Sequence, residues 1–423
     1  MSEASLRSIA LRIRGAALDS ADAGTAVRRA LAPAPAGLTA LGKLWPVSGR
    51  LVLIAVGKAA PRMAATALEI LGSRVDRGIV VAPRGARLEA PDRRLLLMES
   101  SHPLPDENGV QAARAVLALV QELTDRDLCL VLVSGGGSSL LPLPAPPLTL
   151  ADKVQTTNLL LRCGADIREI NTVRSHLSAI KGGRLAEQCR GSMVTLALSD
   201  VVGDPLPFIA SGPTVANPTT YQDALTVLDR YGLRGSAPAP ALQRLLEGAE
   251  GVIPECPKEL PSRFQAGIVA GNGVALDAAA REASGAGFQP MVLTSYLGGE
   301  ARDAGRFLAA VVREILAHGR PVKPPACLLM GGETTVTVHG NGTGGRNQEL
   351  ALSAAIELAG SFGWLIASYA TDGKEGNSEA AGATASGETV ERGRRSGLDP
   401  RRCLAANDST TFLTASGDLI VTG

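Results

Sequence analysis

Short apolar runs recur along this chain. Each ends in Gly, Ser, Asp or Lys, and each is followed by a segment with helical spacing. LVLIAVGK occupies 51–58, GIVVAPRG 78–85, LCLVLVSGGGSS 128–139 and MVTLALSD 193–200. GIVAGNG (267–273), MVLTS (291–295), CLLMGGET (327–334) and WLIASYATDG (364–373) repeat the pattern. Runs that are apolar throughout, rather than alternating, belong to strands covered on both faces, as in parallel sheets flanked by helices. Strands alternating with helices predict an α/β doubly wound architecture. Ligands in such folds bind beyond the carboxyl ends of the strands, where every polar cluster in these runs sits. The first twenty residues carry apolar positions at helical spacing and predict an amphipathic helix.

At 423 residues the chain exceeds what one hydrophobic core usually supports. The segment 235–262 is rich in Pro and Ala and holds no strand-like run, which places a boundary at about 240. The expected domains are thus 1–240 and 241–423, with no internal repeat of fixed period. Lys and Arg number 42 against 41 Asp and Glu, a formal net charge of +1. That excludes a nucleic-acid binder relying on a whole-protein basic field. An aromatic content of 3% argues against a base-stacking surface. Six cysteines without a C-x-x-C pair read as reduced thiols of a cytoplasmic protein. No apolar run approaches the ~18–20 residues of a membrane span, and the N-terminus lacks the apolar core of a signal peptide.

The sharpest chemical signal is SGGGSS. Ser134, Gly135, Gly136, Gly137, Ser138 and Ser139 follow the most apolar run, and such a turn lets backbone N–H groups and hydroxyls converge on an anion. Lys58 ends another run and can reach over the strand tips to a phosphate or carboxylate, although its surroundings do not make a Walker A motif. The segment 168–187 reads as a helix followed by KGGR. Arg174 and Lys181 are about two turns apart there and could share a face, and His176 reads as a solvated residue rather than a catalytic one. Asp200 and Asp204 follow a strand, where acids can hold Mg²⁺ or accept a proton. Glu333 ends a strand, VTVH (336–339) suggests a second short one, and GNGTGGRN then opens a helix presenting Arg346 and Asn347. Gly340, Gly342 and Gly345 match G-x-G-x-x-G, but without the strand and the distant acid of a dinucleotide site; a phosphate site at the helix start fits better. Asp372 sits at a strand tip among glycines. Asn407 and Asp408 precede an apolar segment, where an N-cap is the simple explanation. The absence of a G-x-S-x-G elbow and of paired cysteines disfavours a hydrolase or a zinc site.

Taken in order, AVGKAA, ESSHPLPDENG, LVSGGGSSLLPLP, INTVRSHLSAIKGGRLA, LSDVVGDPLPFIASGPT, GGETTV, GTGGRNQELAL, TDG, AAGA, ANDS and GDLIVTG resemble the class II glycerate kinases, which carry a C-terminal MOFRL domain. The resemblance runs from about residue 50 to the last residue. It implies two α/β domains with mainly parallel, helix-covered sheets and an interdomain active-site cleft. It also implies ATP and Mg²⁺, and phosphorylation of D-glycerate to 2-phosphoglycerate. By the same resemblance the catalytic residues are Lys58, Asp200, Arg346 and Asp372, with Asp200 and Asp372 the candidate metal ligands. The SGGGSS loop, Lys181, Glu333, Asn347 and Asn407 supply supporting contacts. The partners implied are small molecules, with neither nucleic acid nor membrane, and a homodimer is left open. Two departures stand out. The Pro-Thr-Gly-Thr-Asn type stretch usual after GDLIVTG is not in this sequence, which would weaken a site that needs it. KEGNSEA follows TDG where a second Asp-Gly is usual, so Glu375 is the carboxylate at that place. Two other readings compete: a hydroxypyruvate reductase-type oxidoreductase, which needs a nicotinamide site, and a catalytically impaired nucleotide- or glycerate-binding protein.

Overall fold

The structure is a computed structural model, and it describes residues 1–88 and 91–422. The chain divides into two compact units, Ala21–Gly271 and Met1–Ser20 with Asn272–Gly423. The break therefore falls at 271/272, not at about 240. Residue 240 lies in the helix Ala239–Ala249, whose Ala241 and Leu245 pack with Leu160, Ile170, Tyr221 and Leu225 of the preceding helices. The Pro-rich composition of 235–262 marked turns around a helix within one core.

In the unit Ala21–Gly271, three four-residue strands, β1 (Leu31–Ala34), β2 (Gly37–Ala40) and β3 (Lys43–Pro46), form an antiparallel meander. The main sheet is parallel and contains β4 (Leu51–Val56), β5 (Arg77–Pro83), β6 (Leu95–Ser100), β7 (Leu128–Val133), β8 (Ser192–Leu198) and β9 (Phe264–Ala270) in the order β6-β5-β4-β7-β8-β9. Alternate residues of β4 serve two cores: Val52, Ile54 and Val56 face one, Leu51, Leu53 and Ala55 the other. β7 divides in the same way. This is why both sequences are apolar throughout, since neither face meets water. From β4 the sheet grows one way to β5 and β6, and from β7 the other way to β8 and β9. The order reverses between β4 and β7, which makes their carboxyl ends the topological switch point.

The second unit is less regular than the expected parallel sheet. β10 (Gln289–Leu297) and β11 (Ala326–Gly332) form a parallel pair. β12 (Ile366–Tyr369), β13 (Gly382–Ala385) and β14 (Leu419–Ile420) form an antiparallel sheet. The expected strand VTVH does not form; Thr335 alone bridges to Glu300. The predicted N-terminal helix spans Glu3–Ala21 and belongs to this unit. Arg7 donates to Thr384 at 2.7 Å and to the fully buried Asp418, which also accepts two bonds from Arg392 at 2.8 and 3.0 Å. Ser386 donates to Glu3 at 2.8 Å.

Candidate active site

The switch point brings together residues far apart in sequence. Beyond β4 and β7, Lys58 N–H donates to the Gly135 carbonyl at 2.9 Å and Ala59 N–H to Ser134 Oγ at 3.0 Å. The two strand tips are thus tied through the backbone, and the Lys58 side chain is left exposed. Gly136 has φ 85°, and a Cβ there would crowd the His102 ring at 3.0 Å and Lys58 Cγ at 3.4 Å. The Asp200 carboxylate occupies the space where Gly135 would carry a side chain. Glycine is required at both positions so that Lys58, His102 and Asp200 can close around the turn. The side chains of these three residues are exposed, and none makes a hydrogen bond or ion pair among the described residues. Burial, and then the Lys58 charge, hold the His102 imidazole below its usual value, while Asp200 acts against them. On the far side of the turn, Ser138 and Ser211 hydroxyls lie 2.9 Å apart, and Ser211 donates to Asn171 Oδ1 at 2.8 Å. Ser139 donates to the Gly136 carbonyl at 3.1 Å. Two expectations here need correction. The helix starting at Ile167 ends at His176, so Lys181 stands in the following turn, not on a shared helical face with Arg174. His176 is fully buried, with Nδ1 2.7 Å from the Thr172 carbonyl and Nε2 3.4 Å from Glu255.

In the other unit, Arg346 opens the helix Arg346–Glu357 and donates to Glu333 at 2.8 Å, an exposed pair. Asp372 is exposed and also unpaired among the described residues. The remaining predicted contacts are committed to the protein itself. Buried Glu375 accepts from Asn347 N–H at 2.7 Å, from Asn347 Nδ2 at 2.8 Å and from Gln348 N–H at 3.0 Å, capping the helix from outside its own sequence. Burial, against those bonds, pushes its carboxyl up. Asn347 Oδ1 accepts from Ser368 at 2.6 Å. The polar atoms of Asn407 are taken up within the protein. The residue has φ 54°, accepts from His339 and Gly340 N–H at 2.7 and 2.9 Å, and donates to Glu349 at 2.7 Å. Asp408 precedes the helix Ser409–Ser416 without capping it, and accepts instead from Thr343 N–H at 3.1 Å and Thr411 Oγ1 at 2.8 Å. The glycines of 340–345 are therefore small because the Asp408 and Glu375 side chains press against Gly342 and Gly345.

Residues 9–247 match a domain of unknown function, DUF4147, and residues 326–423 match the MOFRL family. A glycerate 2-kinase of Pyrococcus horikoshii is 40% identical over 419 residues, covering 99% of this chain and 94% of that protein. The chain belongs to the glycerate kinase family with a C-terminal MOFRL domain. A second family member, a D-glycerate 2-kinase of Thermotoga maritima, is 44% identical over 375 residues, covering 88% of this chain and 87% of its own. The crystal structure of a Thermotoga maritima glycerate kinase superimposes with a TM-score of 0.88 at 42% identity, covering 99% of this chain and 96% of that one. Among the described residues no helix is long and apolar enough to cross a membrane, and the six cysteines are free thiols.

No group of three or more His, Cys, Asp or Glu suited to a metal ion occurs among the described residues. Asp200 and Asp372 are single exposed carboxylates. That suits Mg²⁺, which is commonly held by one or two carboxylates together with substrate phosphates and water. His102 was missed as a site residue by residue-level reading. The signal was present, because the polar stretch SSHP ends β6 as the other clusters end their strands.

Proposed function

We propose that this protein transfers the γ-phosphoryl group of ATP to the 2-hydroxyl of D-glycerate, releasing ADP and 2-phosphoglycerate. The observation carrying this reading is the convergence of Lys58, His102 and Asp200 on the turn at Gly135–Gly136, three uncommitted side chains at the switch point of a parallel sheet. Phosphoryl transfer demands positioning and neutralisation of spread negative charge more than covalent chemistry. Lys58 supplies a point charge for phosphate oxygens. Asp200 takes the proton of the attacking hydroxyl as the new O–P bond forms and the bond to ADP breaks, or it holds Mg²⁺ instead. Because Glu375 already occupies the N–H groups of the helix start, Arg346 binds phosphate through its exposed guanidinium, and Asp372 takes whichever of the two carboxylate tasks Asp200 does not. Bound Mg²⁺ adds neutralisation of phosphate charge. His102, its basicity lowered by burial and then by Lys58, stays neutral near pH 7 and offers a hydrogen bond without a second positive charge.

The packed glycines at 340–345 count against a nicotinamide site, because the space a pyrophosphate would need is filled by Asp408 and Glu375. The exposed, unpaired Lys58, Asp200 and Asp372 count against an impaired binder. The test is a coupled ADP-release assay with ATP, Mg²⁺ and D-glycerate, with phosphorus NMR of the product. Formation of 2-phosphoglycerate is expected. No ADP release overturns the kinase reading, and 3-phosphoglycerate overturns the choice of hydroxyl.

A further inference from the structure

Behind the turn 134–139 lies a group of cations with no anion to match. Lys153 belongs to the helix Leu150–Arg162, Arg174 to Ile167–His176, Lys181 to the turn after it, and Arg244 to Ala239–Ala249. Lys153 is 7% exposed, and its Nζ has no hydrogen-bond partner. Lys181 is 2% exposed, and its Nζ makes one bond, to the Ala210 carbonyl at 2.9 Å. Arg174, half-buried, donates Nε to Thr157 Oγ1 at 3.3 Å. Arg244 donates to the His176 carbonyl at 2.9 Å. None of the four pairs with a carboxylate among the described residues. They also sense one another: after burial, the charges of Arg174 and Arg244 lower the basicity of Lys153, to about 7, and those of Lys153 and Arg174 lower that of Lys181.

A buried ammonium without an acceptor is costly, and the cost falls when an anion enters. The cluster adjoins the site already described. Ala210, which accepts from Lys181, packs against Gly137, and Ser211 touches Ser138. Ala210 and Ser211 have φ of 51° and 60°, a left-handed pair of non-glycine residues of the kind kept where function demands it.

We propose that Lys153, Arg174 and Lys181 form the pocket that holds the carboxylate of the acceptor acid. This rests on the kinase reading and deepens it. A 2-hydroxy acid carries its carboxylate on the carbon next to the reacting hydroxyl, so one short turn can hold both ends of the molecule. Asp200 then serves the hydroxyl at Gly135, and the buried cations serve the carboxylate beyond Gly137. Polyanionic phosphates are left to the exposed Lys58 and Arg346.

The test is steady-state kinetics with both substrates varied. Lys153→Met is expected to raise KM for D-glycerate at least tenfold while KM for ATP stays within twofold. Arg174→Met, at a half-buried position, moves the same way by less and carries the test if Lys153→Met does not fold. In the unsubstituted enzyme KM for glycerate climbs as pH rises through about 7 and Lys153, facing Arg174, Lys181 and Arg244, loses its proton; in Lys153→Met this climb disappears. An unchanged KM for glycerate in the variants, or an equal rise for ATP, overturns the pocket. An unsubstituted enzyme that does not phosphorylate glycerate at all overturns the kinase reading instead.

Discussion

Glycines gather at 134–139 and again at 340–345, and the two turns are surrounded by different chemistry. Around the first stand Lys58, His102 and Asp200, exposed and without protein partners. Around the second stand Glu375, Asn407 and Asp408, whose polar atoms are spent on backbone N–H groups and neighbouring side chains. A polar group that has met its hydrogen-bonding needs inside the protein braces a backbone; one that has not remains available to a ligand. Glycine content alone does not separate the two cases, whereas the commitment of the surrounding side chains does.

The largest effect expected from this contrast is catalytic. Lys58→Met and Asp200→Asn should each lower kcat at least ~100-fold, about 2.7 kcal/mol of barrier, with the melting temperature nearly unchanged. Losses below about tenfold in both variants would place the chemistry elsewhere. Next in size is a pure stability effect. Glu375→Ala strands two helix N–H groups and an amide in a buried place, and should cost about 2–3 kcal/mol in denaturant unfolding, with kcat of the folded fraction within a few-fold. Asn407→Ala should cost about 1–3 kcal/mol. Asn407→Gly should cost less, since glycine accepts the left-handed backbone at that position; equal costs would mean the backbone there is not strained. The smallest effect concerns titration. His102, followed by NMR, should titrate below 6.5, move up in Lys58→Met and move down in Asp200→Asn. Because its folded value lies below the unfolded one, acidification from pH 6.5 toward the folded value should slightly reduce stability. Shifts of the same sign in both variants would separate His102 from one of its two neighbours.

Much of this contrast could be read from sequence, within physical limits. The inner strands of the six-stranded sheet were legible because burial on both faces leaves no polar position to blur them. β6 was missed because its apolar run LLLM is short and runs straight into Glu99 and Ser100, with Leu96 exposed. β1–β3 were missed because four-residue strands carrying Pro33 and Pro46 look like turns. The strand-end rule found Lys58, Asp200 and the SGGGSS turn, since parallel sheets fix where side chains emerge. It could not tell that Asn407 and Glu375 serve as braces, because their partners lie 27 to 70 positions away. Lys153 was invisible for a related reason: a lysine in LADKVQ reads as solvated surface until helices from later in the chain bury it.

The clasp of Arg7 and Arg392 on Asp418 has a consequence for biosynthesis. A ribosome delivers residue 7 early and residue 418 more than four hundred steps later. The unit Ala21–Gly271 is contiguous and can close as soon as its own last strand emerges. The helix Glu3–Ala21 has no such option, because the sheet it fastens to includes residues 419 and 420, some four hundred positions later. Until residue 420 has left the tunnel this helix has no completed sheet to fasten to, and the second unit stays incomplete until then.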